Sequence, residues 1–447
     1  MCYSTKISSN LVHTIGPRAG AGAIVSAVEA EIAEGALGPG ARLPAVRSLA
    51  EALRVSPATV AAAYRMLKQR GFVVANRGSG TTVAEVPPVR VTGGMKLPPG
   101  VRDLASGNPD PELLPPLAAA LDRVDPSHKL YGGLTNLPEL TARAGEEFER
   151  DAIPGDIAVT GGALDAIERA LQAELRVGDR VVVEDPSWPR IGDLVRSLGL
   201  ELEPVAVDRA GLDPQRLDDA LARGARAVIV TPRGQNPTGV SVDGDRGAAL
   251  REVHASHPEA LVIEDDYVAQ VSGAPYVPVH SVEGRWIVVR SLSKVVGPDL
   301  RIAVAAGDAR TVSRIEGRQR LGPGWVSHIL QQLASILLRD GATAALLERA
   351  EAVYAERRRA LVAALATRGM QATGDSGLSV WVPLADEAAA VRELLIQGWA
   401  VSPGERYRFR TPPALRITTA GLEPSEAEEL ADAITSLRNP TESTYAG

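Results

Sequence analysis

Apolar side chains recur at Ile24, Val28 and Ile32, one face of a helix, and Gly35 with Gly38-Pro39-Gly40 ends that run by residue 34. A second helical stripe is written by Val46, Leu49, Ala50 and Leu53, with Arg47 and Glu51 on its polar side. Arg54-Val55-Ser56 makes a very short break. A third stripe follows in Val60, Ala63, Tyr64 and Leu67, with Ser56 placed as N-cap and Pro57 at the first helical position. Phe72-Val73-Val74-Ala75 and Thr81-Thr82-Val83 then flank Asn76-Arg77-Gly78-Ser79-Gly80, which predicts a hairpin with a glycine-rich tip. Helix, turn, helix and hairpin are expected in that order.

From Val86-Pro87-Pro88 to Leu97-Pro98-Pro99-Gly100 the chain is rich in Pro and Gly with no apolar period, and it reads as a linker. Beyond it the pattern changes. Short β-rich runs at 181–183, 227–230, 261–263 and 286–289 alternate with helical stretches such as Asp165 to Arg176, which predicts a mostly parallel sheet covered by helices. Ligands of such sheets sit at the carboxyl ends of the strands. Polar residues cluster there: Thr231 to Gly239 after the second run, Glu264-Asp265-Asp266-Tyr267 after the third, Ser291-Leu292-Ser293-Lys294 after the fourth.

A chain of 447 residues is too long for one core and predicts two or three domains. It has no internal repeat, no apolar stretch near the ~18 residues of a membrane span and no signal-peptide core, so the expected location is the cytoplasm, away from any membrane. The single cysteine, Cys2, excludes an internal disulfide framework, and the six histidines show no metal spacing. His254 and His257, three apart on a helix without an obvious carboxylate companion, are expected at the surface. The formal net charge is −7, yet residues 1–85 carry nine Lys+Arg against five Asp+Glu, which is +4 and leaves −11 for the rest. The front end suits a polyanion.

Gly38-Pro39-Gly40-Ala41-Arg42-Leu43-Pro44, Val46-Arg47-Ser48-Leu49-Ala50, Val55-Ser56-Pro57-Ala58-Thr59-Val60 and Gly78-Ser79-Gly80-Thr81 resemble the winged-helix domains of the GntR family. The resemblance implies a third helix entering the major groove, with helix N-termini and basic side chains on phosphates. Arg42, Arg47, Ser56, Thr59, Lys68, Arg77 and Ser79 are the DNA-binding candidates. Pro57 stands where the family often has a basic residue, and Ala58 and Ala61 fill further contact positions. Direct base hydrogen bonding is therefore expected to be sparse, with thymine-methyl contacts from Ala58 or Thr59 in its place.

The strand-end segments, with Asp185-Pro186-Ser187-Trp188-Pro189 and Leu415-Arg416-Ile417, resemble fold-type I pyridoxal phosphate enzymes of the aspartate aminotransferase class, over roughly Asp103 to Asn439. Pyridoxal 5'-phosphate needs an amine to hold its aldehyde as a Schiff base, and Lys294, among small or apolar neighbours, is the lysine expected to have a depressed pKa. A carboxylate beside the pyridine nitrogen keeps it protonated, a role assigned to Asp265. Tyr267 and Asn236 are expected at the phenolic oxygen, and Trp188 on the ring face. Gly162 and Ala163 at a helix start, Ser291 and Arg301 are expected around the phosphate. Tyr131 resembles the tyrosine that reaches the phosphate from a neighbouring subunit, and Arg416 the arginine that grips a substrate carboxylate. Two departures are visible: Leu164 replaces a polar residue often found beside the phosphate, and Glu264-Asp265-Asp266-Tyr267 is one residue tighter than usual, which leaves the choice of acid open.

The joined halves resemble MocR-type regulators within the GntR family. The expectation is therefore a multidomain chain: an N-terminal winged helix-turn-helix over 15–85, a linker over 86–101, and over 102–440 an α/β aminotransferase-like domain with a smaller C-terminal α+β part. The implied function is a transcriptional regulator that binds an operator of repeated half-sites as a homodimer and answers to pyridoxal phosphate or an amino compound. An active aminotransferase with an appended DNA-binding domain is the alternative.

Overall fold

A computed structural model describes residues 20–33, 36–69, 72–76, 80–84 and 97–437. The described residues divide into two compact units: those up to 84 with the short segments 176–179 and 192–202, and the remainder.

In the first unit helices α1 (Ala21–Ala33), α2 (Val46–Leu53) and α3 (Pro57–Gln69) precede strands β1 (Val73–Asn76) and β2 (Gly80–Val83). The helical stripes meet in one core: Ile24 and Val28 of α1, Leu49 and Leu53 of α2, and Val60, Tyr64 and Leu67 of α3, closed by Val73 and Val83. Each such aliphatic side chain contributes on the order of 2 kcal/mol by leaving water. α2 stops where Arg54 turns left-handed, at φ 54°. Two residues later Ser56 Oγ accepts from the Thr59 amide at 3.1 Å and caps α3. Tyr64 donates to the Pro44 carbonyl at 2.8 Å, tying α3 to the turn before α2, and burial pushes its hydroxyl pKa up. The hairpin is antiparallel with Val73 opposite Val83. Residues 77–79 of its tip, residue 85 and 86–96 of the expected linker lie outside the described residues.

In the second unit strand β3 (Arg102–Asp103) is followed by β4 (Asp156–Thr160), β5 (Arg180–Asp185), β6 (Glu201–Asp208), β7 (Gly211–Leu212), β8 (Ala225–Val230), β9 (Leu261–Asp265), β10 (Arg285–Ser291) and β11 (Ala303–Gly307). The last eight form one sheet in the order β4, β11, β10, β9, β8, β5, β6, β7. β5, β8, β9 and β10 run parallel, and β11 lies antiparallel between β10 and β4. Their apolar side chains, with those of the covering helices, make the main core. Strands β12 (Ser379–Pro383), β13 (Trp399–Ala400), β14 (Ser402–Pro403) and β15 (Ala414–Thr418) belong to the smaller C-terminal part. There β12, β15 and β14 form an antiparallel sheet with its own core, and β13 pairs with β3.

The surface position expected for His254 is corrected. His254 is buried, 1% exposed, with Nε2 on the Ala260 carbonyl at 3.1 Å and Nδ1 accepting from the Ser281 amide at 2.8 Å; burial lowers its pKa to about 4. His257 also has the carboxylate that its neighbourhood in sequence hid, with Nε2 at 2.7 Å from Asp218. The contacts come from segments outside the helix, which helical spacing cannot report. Among the described residues no three His, Cys, Asp or Glu cluster as a metal site, and no helix is long and apolar enough to cross a membrane.

Candidate functional site

Because β4, β5, β8, β9 and β10 share one direction, the segments after each of them emerge along one edge of the sheet. Register makes this concrete: Ser291 pairs with Ala303, and Ala303 with Thr160, so the end of β10 and the turn after β4 are two strands apart.

That turn opens helix α4 (Ala163–Glu174). Its N-cap, Gly162, has φ 113° and no side-chain cap, so the first-turn amides face outward. A Cβ at Gly162 would stand 2.7 Å from Nη2 of Arg301, which places that guanidinium over the helix start. Gly161 donates to Asp165 at 2.9 Å. Ser291 is buried, its Oγ accepting from the Ser293 amide. Gly162, Ala163 and the Arg301 guanidinium thus lie together at this helix start, with Ser291 two strands away at the end of β10.

The acids at the end of β9 are sorted by the pleat. Glu264 accepts from Tyr276, from the Val279 and His280 amides and from His280 Nδ1, all within 3.0 Å. Asp266 is gripped bidentately by Arg233 at 2.7 and 2.8 Å and singly by Arg290 at 2.9 Å, which holds its pKa down. Asp265, between them, points to the other face. Its Oδ1 is buried without a partner, and burial, with Asp266 nearby, raises its pKa to about 7. Asn236 likewise carries a buried Oδ1 with no partner. Tyr267 donates to the Gly234 carbonyl at 2.8 Å, and burial pushes its hydroxyl pKa up.

Lys294 is half-buried, and Nζ donates to the Gly107 carbonyl. Burial first, then the charge of Arg416, lowers its pKa to about 8. Arg416 on β15 donates through Nη1 to Ala105 O at 3.1 Å and to Thr418 Oγ1, while its Nε is buried without a partner. Trp188 is half-buried in a segment held from two sides: the Gln235 side chain donates to Pro186 O at 2.7 Å, and the Ser187 amide to Tyr407 O at 2.8 Å. Asp185 accepts three successive amides, from Phe409 at 2.8, Arg410 at 2.8 and Thr411 at 3.2 Å.

Tyr131 stands apart. It is 92% exposed, with its ring edge-on to Trp325 at 5.5 Å, in a loop that also exposes Leu130 and Leu134. Sequence reasoning missed the Ala105–Gly107 carbonyls, the buried Glu184 that accepts from Gln235 at 3.1 Å, and the Arg233–Asp266 pair. Ser106-Gly107-Asn108-Pro109 was a turn signal that could have drawn attention to the first of these.

In the first unit Arg42, Arg47, Ser56 and Lys68 are exposed and Thr59 is half-buried. Arg42 bridges to Thr82 and lies against Gly80, and Thr59 Oγ1 shares a 2.9 Å hydrogen bond with Ser56. Arg77 and Ser79 lie outside the described residues.

Helix-turn-helix with a hairpin wing, ahead of a sheet whose carboxyl edge gathers a lysine, a bare aspartate and an arginine, defines a class: a DNA-binding regulator carrying an aminotransferase-type fold. Residues 21–83 match the model of the gntR family of bacterial regulatory proteins, and residues 99–434 that of aminotransferase class I and II. The chain is 40% identical to the vitamin B6 salvage pathway transcriptional repressor PtsJ of Salmonella typhimurium, over 91% of this chain and 96% of that one. It is 31% identical to the pyridoxine biosynthesis transcriptional regulator PdxR of Corynebacterium glutamicum, over 73% and 74% of the two chains. The structure of kynurenine aminotransferase from Pyrococcus horikoshii shares the fold, with a TM-score of 0.69 at 23% identity, over 76% of this chain and 91% of that one. The chain belongs to the MocR-type group of the GntR family, transcriptional regulators that join a winged helix to an aminotransferase-like domain.

Proposed function

We propose that the protein binds pyridoxal 5'-phosphate at the carboxyl edge of its large sheet and changes its hold on operator DNA in response. The observation that carries this reading is the pair formed by Lys294, an amine brought down to about 8, and Asp265, a buried carboxylate whose Oδ1 has no partner. An orphaned buried acceptor costs about 1 to 3 kcal/mol, and a pyridinium N–H would satisfy it. When bound, the cofactor supplies an aldehyde that condenses with amines and a ring that withdraws electrons.

The chain's own residues then take distinct parts. Lys294, half of it neutral near pH 8, holds the aldehyde carbon covalently, and Asp265 keeps the proton on the ring nitrogen. Asn236 and Tyr267 hold the phenolic oxygen, and Trp188 covers the ring face. The capless start of α4, with Gly162 and Ala163, gives its amides to the phosphate together with Ser291 and Arg301. Two exposed leucines beside Tyr131 fit a homodimer in which Tyr131 completes the partner's phosphate site. A two-fold dimer suits an operator with repeated half-sites, read by Arg42, Arg47, Ser56, Thr59, Lys68, Arg77 and Ser79. On this reading the winged helix spans 15–85, the linker 86–101 and the cofactor domain 102–440.

The names of the relatives, a repressor of the vitamin B6 salvage pathway and a regulator of pyridoxine biosynthesis, support control of vitamin B6 supply as the setting. A second reading is favoured by Arg416, whose buried Nε has no partner and can receive a carboxylate: an amino acid would bind over the cofactor and surrender its amino group. Titrating the protein with pyridoxal phosphate tests the common core. Absorbance of a covalently held cofactor is expected in the wild type and absent in a folded Lys294→Ala variant, and equal spectra would sink the assignment. Steady amino-group transfer without operator binding would favour the enzyme reading.

A further inference from the structure

The segment Ala105-Ser106-Gly107 presents three successive backbone carbonyls to the site. Ala105 O accepts from Arg416 Nη1 at 3.1 Å, Ser106 O from Thr418 Oγ1, and Gly107 O from Lys294 Nζ. Thr418 Oγ1 accepts from Arg416 at the same time as it donates to Ser106 O, so one hydroxyl joins the arginine to the segment. Gly107 also lies so close that a Cβ would stand 3.3 Å from Arg416 Nη2. The other side of the segment faces outward: Gly107 and Asn108 are exposed, Ala105 and Ser106 half-buried. Its fold is local, since the amides of Ala105 and Ser106 both donate to Asp103 Oδ1, at 3.0 and 2.9 Å.

We propose that Ala105–Gly107 is a ligand-reading strap: its carbonyls hold Lys294, Arg416 and Thr418 while the site is unliganded, and engagement of Lys294 releases it. The inference rests on the reading of Lys294 as the group that holds the cofactor. An ammonium offers three donor hydrogens, but a lysine nitrogen joined to an aldehyde carbon keeps at most one, whose direction the new bond fixes. Gly107 O then loses its donor, and being at an exposed position it can turn to water. A ligand carboxylate on Arg416 competes for the same guanidinium that Ala105 O uses. Thr418 is a positioning residue: it turns Nη1 of Arg416 toward the strap.

The strap follows directly on β3, the first strand among the described residues beyond the DNA-binding unit. Residues 105–107 are thus close in sequence to the segment that joins the two units.

Hydrogen exchange of the full-length protein tests this, read on peptides covering residues 102–108 with and without pyridoxal phosphate, alongside the cofactor absorbance. In the wild type, loading should speed exchange of the Ala105 and Ser106 amides about two- to ten-fold, the weight of one net hydrogen bond. Lys294→Ala should show the fast rate without ligand and no further change on adding it. Thr418→Val should also exchange faster while keeping the cofactor absorbance. Wild-type rates at 105–106 that stay equal or slow on loading, or a Lys294→Ala protein with the slow unliganded rate, would overturn the strap. Absence of cofactor absorbance in the wild type would instead overturn the reading of Lys294, and the Lys294→Ala comparison would still decide the strap.

Discussion

Replacing Asp265 by asparagine separates folding from function in a way the burial of this one carboxyl makes quantitative. Its value lies at about 7 in the native protein against 3.8 for a free side chain. The native state therefore takes up a proton, between those two pH values, that the unfolded chain does not. Stability of the cofactor-free protein falls as pH rises through that window and reaches its floor above it. The gap is worth about 4 kcal/mol once Asp265 is ionised. An asparagine in its place would carry no charge but would leave its own amide unpaired, at about 1 to 3 kcal/mol. The net expectation is a cofactor-free D265N protein more stable than wild type by about 1 to 3 kcal/mol near pH ~8, with that advantage gone near pH ~4, where the acid is neutral in the native state and roughly two-fifths neutral in the unfolded chain. Urea denaturation at the two pH values measures it. Excess pyridoxal phosphate should reverse the order at the higher pH, because it stabilises only the protein that binds it well. A variant less stable than wild type at pH ~8 without cofactor would refute the claim that Asp265 is a charge held bare for a ligand.

Further outcomes follow from the same geometry. Capture of pyridoxal phosphate needs the neutral amine, so its rate should rise with pH with a midpoint near the about 8 of Lys294; Arg416→Gln removes the second cause of that depression and should move the midpoint upward in a stopped-flow pH series. Gly162→Ala puts a Cβ 2.7 Å from Arg301 Nη2 at a residue with φ 113°, and should weaken cofactor binding by roughly ten-fold or more in a spectroscopic titration. Arg47→Ala removes an exposed cation from α2 and should weaken operator binding and lower its salt dependence, while the cofactor absorbance stays as in wild type.

The period of apolar positions made the winged helix legible almost residue by residue. Val60, Ala63, Tyr64 and Leu67 are all buried, and Ser56 caps the helix they lie on. The strand-end rule located Asp265, Asn236, Ser291 and Lys294 at one edge, because parallel strands leave their carboxyl ends together. What stayed hidden has a common physical character. The strap acts through backbone carbonyls, which no side-chain pattern announces. The choice among Glu264, Asp265 and Asp266 depends on pleat and on remote partners, Tyr276 and His280 for the first, Arg233 and Arg290 for the last. His254 reads as an ordinary helix residue until the Ala260 carbonyl and Ser281 amide close over it. The pleat was available in the sequence: in a strand with Val262 and Glu264 on one face, Asp265 belongs to the other.

The most direct test of a cofactor-responsive regulator is binding of full-length protein to the DNA upstream of its own gene, with and without pyridoxal phosphate, for wild type and Lys294→Ala side by side. Both proteins should bind the fragment specifically, and the cofactor should change the wild-type affinity about ten-fold while leaving the variant's unchanged, a coupling of about 1.4 kcal/mol. An identical response in the two proteins, or specific binding that ignores the cofactor in both, would contradict the account.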